Sequence, residues 1–89
     1  MPSRKFIKRP VEIEAMQITA ENIQEVGYWC QADSMSWGAD GSPILWIDTL
    51  EGAMAARVGS WVIKGVEGEF YPCKDSIFQA TYQPKEEAL

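Results

Sequence analysis

Gly59-Ser-Trp-Val-Ile-Lys-Gly-Val-Glu-Gly-Glu-Phe-Tyr-Pro-Cys73 reads as a complete β-hairpin with its turn marked. Two apolar, β-branched and aromatic runs flank Glu67-Gly68, and glycine supplies the positive φ that tight hairpin turns require. A two-residue loop at Glu67-Gly68 pairs Lys64 with Tyr71, Ile63 with Pro72 and Val62 with Cys73. That register puts Trp61, Ile63, Phe70 and Pro72 on one apolar face, with Phe70 lying over Gly65. The other face is mixed and carries Lys64 and Tyr71.

Two more acidic-glycine pairs, Asp40-Gly41 and Glu51-Gly52, precede this one. The short runs that these turns separate, Met35–Gly38, Pro43–Thr49, Ala53–Val58, Trp61–Val66 and Glu69–Cys73, predict one antiparallel meander. Ile44-Leu-Trp-Ile47 is apolar without alternation, which predicts a strand covered on both faces. The stretch 31–42 reads as either a strand or a long loop.

Earlier in the chain, Val11–Ile18 alternates with period 2 and predicts a half-buried strand. Thr19–Cys30 then switches to helical spacing. Thr19 is a natural N-cap, and Ile18 with Ile23 forms a hydrophobic staple. After the hairpin, Asp75–Tyr82 carries a stripe of Ile77, Phe78, Thr81 and Tyr82 that suits a short docked helix. The expected fold is therefore α+β. A small antiparallel meander sheet, curled toward a barrel, packs against one helix at about residues 19–30 and a short C-terminal helix at about 75–82. The 89 residues make a single domain, with loose ends at 1–5 and 84–89.

Composition narrows the function classes. Ten aromatic residues and 46% hydrophobic content suit one compact core, not a disordered chain. No run approaches the ~20 apolar residues of a membrane span, and no apolar stretch follows the basic start as in a signal peptide. The expectation is a soluble, cytoplasmic protein. Residues 1–9 carry four basic and no acidic side chains; residues 10–89 carry four basic against thirteen acidic, a net of −9. An acidic body repels phosphate backbones, so general nucleic-acid binding is not expected. The arm itself reads as a solvated or edge-strand start.

Catalytic chemistry has little to stand on. Histidine, the commonest general base, is absent. Cys30 and Cys73 are too few for a zinc site without histidine, and read as buried small hydrophobes. Cys73 beside Lys74 offers a weak case for an activated thiol. Asp48 and Glu51 flank a turn, which explains them without chemistry. No cofactor and no metal are expected. The aromatic excess is the better lead, because Trp and Tyr are enriched at interface hot spots and also stack on nucleotide bases. Trp46 and Trp61 are expected inside and Trp37 partly exposed. Met35, Trp37, Arg57, Lys64 and Tyr71 are the candidate binding surface.

Gly59 to Lys74, followed by Ile77-Phe78 and Thr81-Tyr82, resembles the C-terminal signature of a family of small phage and prophage proteins. The family's usual form has Gly-Asp-Trp before the hairpin and Lys-Pro-Asp-Ile-Phe after it. Here Ser60 replaces that Asp, and Asp75-Ser76 replaces Pro-Asp. The match covers about a quarter of the chain strongly. The family has no settled activity, so the resemblance implies provenance more than chemistry. Small accessory phage proteins often bind a host component or neutralise a host defence. Two readings follow. One is a non-enzymatic phage accessory protein that binds and modulates a host protein, acting as a homo-oligomer. The other is a small-ligand protein that sequesters a nucleotide signal.

Overall fold

A computed structural model describes residues 3–85. The loose ends expected at 1–5 and 84–89 therefore lie partly outside the described residues. The architecture is α+β. Its elements in chain order are β1 (Glu14–Gln17), α1 (Ile23–Trp29), β2 (Ser34–Trp37), β3 (Pro43–Thr49), β4 (Gly52–Arg57), β5 (Trp61–Lys64), β6 (Phe70–Cys73) and α2 (Asp75–Thr81). The strands divide between two three-stranded antiparallel sheets, ordered β1-β5-β6 (sheet A) and β2-β3-β4 (sheet B). The single meander curled toward a barrel is not what forms. β2, β3 and β4 make sheet B, the β5–β6 hairpin pairs with β1 in sheet A instead, and no barrel closes among the described residues. The 31–42 stretch supplies the edge strand β2. Sheet A closes a long-range pairing, with Glu14 opposite Lys64 and Gln17 opposite Trp61.

The β5–β6 hairpin differs from its sequence reading by one residue. Lys64 pairs with Phe70, Ile63 with Tyr71 and Val62 with Pro72. The Gly65 amide donates to Glu69 O at 2.7 Å and the Gly68 amide to Gly65 O at 3.0 Å, so Val66-Glu67-Gly68 is a three-residue loop. A two-residue type I′ turn would need positive φ at both Glu67 and Gly68. Only Gly68 has it, at +85°, which makes a type I turn closed by a glycine bulge. The β2–β3 hairpin repeats the pattern with Ala39-Asp40-Gly41, Gly41 standing at φ +83°.

This slip exchanges partners across the sheet. Ala15, Gln17, Trp61, Ile63, Tyr71 and Cys73 share one face; Glu14, Met16, Val62, Lys64, Phe70 and Pro72 share the other. Trp61 and Ile63 thus do not share a face with Phe70 and Pro72. Lys64 and Tyr71 point to opposite sides. Glu69, not Phe70, covers Gly65, where its carboxylate occupies the place of a Cβ.

Both faces of sheet A are covered. Met16, Val62 and Phe70 join the main core, built around Ile18, Ile23, Val26, Cys30, Leu45, Ile47 and Ala56. Across the sheet α2 lies on Trp61, whose ring stacks on Phe78 at 3.9 Å and an interplanar angle of 7°. Val62 and Ile63, adjacent in sequence, are consequently both fully buried.

α1 is shorter than the 19–30 expected. Thr19 is not its N-cap. The Thr19 amide donates to Asn22 Oδ1 at 2.7 Å and the Asn22 amide to Thr19 Oγ1 at 3.1 Å, a reciprocal pair that ties the turn before the helix. The helix begins only where the Val26 amide reaches Asn22 O at 2.9 Å. At its other end, Ala32 donates to Gly27 O and Gln31 to Tyr28 O, a Schellman stop. Gln31 takes the left-handed position at φ 55° that glycine usually fills. α1 touches both sheets. A Cβ on Gly27 would lie 3.3 Å from Leu45 Cδ2 of β3, and Trp29 meets Phe70 of β6 edge-on at 5.1 Å.

Candidate functional site

The five residues singled out from sequence do not form one patch. Met35 and Trp37 lie on β2, an edge strand, opposite Leu45 and Pro43. Their side chains share the core-facing side of sheet B but overhang its edge: Met35 is 39% exposed and Trp37 65%. Arg57 is exposed at the end of β4, opposite Ile44. Its guanidinium reaches the β2–β3 loop, with Nη1 3.6 Å from the position a Cβ on Gly38 would take. Trp37 and Arg57 therefore stand at the same end of sheet B but start from its opposite faces, Trp37 on the side of Leu45 and Arg57 on the side of Ile44. Ser42 closes that loop by donating its amide and hydroxyl to Asp40 Oδ1, at 3.0 and 2.6 Å. These bonds, with a smaller contribution from Arg57, hold the Asp40 carboxyl below the usual range.

Lys64 and Tyr71 belong to sheet A. Lys64 stands 3.8 Å from the Glu14 carboxylate in the neighbouring strand. Tyr71 lies on the α2 side, where burial, and then the Tyr82 hydroxyl beside it, push its phenol up to about 12. The other indoles are occupied. Trp46 Nε1 donates to Ser36 Oγ at 2.7 Å and Trp61 Nε1 to Asp75 Oδ1 at 2.9 Å. Both of these rings are half-buried.

A second surface was not read from the sequence. A groove of about 700 Å³ runs between the C-terminal end of α1, the β3–β4 turn and β6. Its apolar floor includes Ile47, Met54, Phe70 and Pro72. Asp33, Asp48, Glu51 and Glu69 also line it, and no Lys or Arg does. Leu50, at the β3–β4 turn, is fully exposed on its margin. The signal available in sequence was the exposed Leu50 between Thr49 and Glu51. What brings Asp33 and Glu69 to the same groove is the packing of the two sheets.

Neither thiol is set up as a nucleophile. Burial pushes Cys30 up, and burial likewise pushes Cys73 up against a smaller opposing effect of Lys8. Glu51 lines the acidic groove, whereas Asp48 follows Ile47 on β3 and so directs its side chain to the opposite face of sheet B. Among the described residues, no three His, Cys, Asp or Glu side chains converge as a metal site requires. No helix there is long and apolar enough to cross a membrane. Compared with protein-family models, with curated proteins and with solved structures, the chain matches none.

Proposed function

We propose that this chain is a non-catalytic accessory protein of phage origin that binds and modulates a host protein through the Trp37 end of sheet B. The observation that carries the reading is the exposure of Trp37 on an edge strand. An indole standing in water is unfavourable at ~25 cal/mol per Å² of apolar surface, and burying it against a partner recovers that cost. Trp is also among the residues most enriched at interface hot spots. Met35 beside it is a flexible apolar contact, and Arg57 adds a planar cation for the rim. β2 carries unpaired backbone groups along its outer side, which an extended partner segment can meet. The phage provenance rests on the resemblance of Gly59–Tyr82 to that family's signature.

The test is quantitative pull-down from host lysate with wild-type and Trp37→Ala baits. A hot spot worth ~2 kcal/mol or more lowers affinity ~30-fold. The specific partner should therefore drop out of the Trp37→Ala sample while folding stability stays within ~0.5 kcal/mol. Equal recovery of the same proteins by both baits would rule this surface out. The alternative, sequestration of a nucleotide signal, needs Trp37 for the base and Arg57, reaching around from the other face of sheet B, for phosphate. The acidic groove does not serve it. A thermal-shift panel of nucleotides separates the two readings, because a ligand at ~100 times its Kd adds ~2.7 kcal/mol.

A further inference from the structure

We infer that the acidic groove receives the basic N-terminal arm of a second copy of this chain, and that the protein is a reciprocal dimer built by arm exchange. Residues 3–13 form no helix or strand. Arg4, Lys5, Lys8 and Arg9 flank Phe6 and Ile7, which are 82% and 95% exposed. Two adjacent large apolar side chains with four cations and no acid around them are the chemical complement of the groove. The groove offers an apolar floor, the acidic side chains of Asp33 and Glu51 along its lining and no cation. The body of the chain is acidic overall, so in this sequence the arm is the cationic segment that fits.

The arm's own body does not present the groove to it. Lys8 Nζ lies 4.9 Å from the centre of the Tyr82 ring and donates to its hydroxyl at 3.3 Å. Lys85 Nζ meets Glu12 Oε1 at 2.5 Å. These contacts hold the root of the arm on the α2 side of sheet A. The groove opens on the other face of that sheet, the face of Phe70 and Pro72. Each copy carries one arm and one groove, so two copies satisfy both at once around a two-fold axis. Opposite charges then set the docking register, and salt weakens it.

The experiment is sedimentation velocity on the full chain at low ionic strength, with two charge reversals at exposed positions. One is Arg4→Glu with Lys5→Glu in the arm; the other is Asp33→Lys with Glu51→Lys in the groove. Wild type should be a dimer that dissociates as salt rises. Each reversal alone should weaken it at least tenfold. Mixing the two variants should restore association, because each reversed arm then meets a reversed groove and each native arm a native one. A wild-type monomer at every concentration gives the groove to some other occupant and overturns the inference. A dimer indifferent to both reversals, or a mixture that does not recover, overturns it as well. Trp37→Ala should leave the dimer unchanged, so this result and the host-protein reading stand or fall separately.

Discussion

Asp75 ties the last helix to the sheet beneath it. Its Oδ1 accepts from Trp61 Nε1 at 2.9 Å, from Gln79 Nε2 at 3.2 Å and from Gln17 Nε2 at 3.4 Å. The Trp61 bond, and then the Gln79 bond, hold its carboxyl below the ordinary value of 3.8. A carboxyl lowered on folding stabilises the native state above its unfolded value, and that contribution disappears as pH falls through the folded value. Stability should therefore decline as pH drops below ~4. Asp75→Asn should lower the urea midpoint at neutral pH, and the two curves should converge in acid. Asp40 titrates in the same direction, so part of the acid slope survives in the variant. Curves that run parallel from neutral to acid would show that the charge contributes nothing. From sequence, Asp75 was legible as a helix start because that preference is local. Its partner Trp61 lies 14 residues earlier, on a strand whose facing depends on a register that the turn residues left open. The clasp of Trp61, Asp75 and Phe78 docks α2 onto sheet A.

At the level of elements, the acidic-glycine pairs announced the turns correctly but not their lengths. Glu67-Gly68 suits the centre of a two-residue loop and equally the last two positions of a three-residue one. Which form is adopted depends on whether the acidic residue takes positive φ, and Glu67 does not. The difference is one residue in register and a complete exchange of faces. This is why the pair Lys64 and Tyr71, expected together, is split across the sheet. Ile44–Ile47 was legible for the opposite reason. An unbroken apolar run reads as a strand whatever its facing, and Ile44, Leu45 and Ile47 are all buried, although Trp46 on the face of Ile44 is only half-buried. The loop form makes a direct prediction. A Cβ at Gly68 would meet nothing within 4 Å, so only backbone conformation opposes it. Gly68→Ala should cost ~1–2 kcal/mol. Gly68→Asn should cost less, since Asn tolerates left-handed φ. Denaturant midpoints measure both, and an alanine variant as stable as wild type would exclude the bulged turn.

In the whole molecule, two sheets share one core: β6 of sheet A packs directly on β3 and β4 of sheet B, and α1 closes the core beside them. The hairpins of each sheet connect neighbours in sequence, which is why they could be read from turns. The pairing of β1 with β5 joins residues 14 and 64, and nothing in either segment names its partner. The groove is a product of that same packing, and so it too was absent from the sequence reading. A shared core has a thermodynamic consequence. Ile18 just after β1, Val26 of α1, Leu45 and Ile47 of β3 and Val62 of β5 belong to a single cluster. Neither sheet can lose α1 without exposing the apolar face of the other, so the sheets should unfold together as one two-state unit. Trp46 reports on sheet B and Trp61 on sheet A. Variants retaining only one of these two indoles should give coincident urea midpoints by fluorescence. Val26 is fully buried against both sheets. Val26→Ala should lower both midpoints in step, by the ~1.5–3 kcal/mol of a fully buried valine side chain at most. If the Trp61 signal were lost at lower denaturant than the Trp46 signal, the sheets would be separate cooperative units. α1 would then belong to sheet B alone.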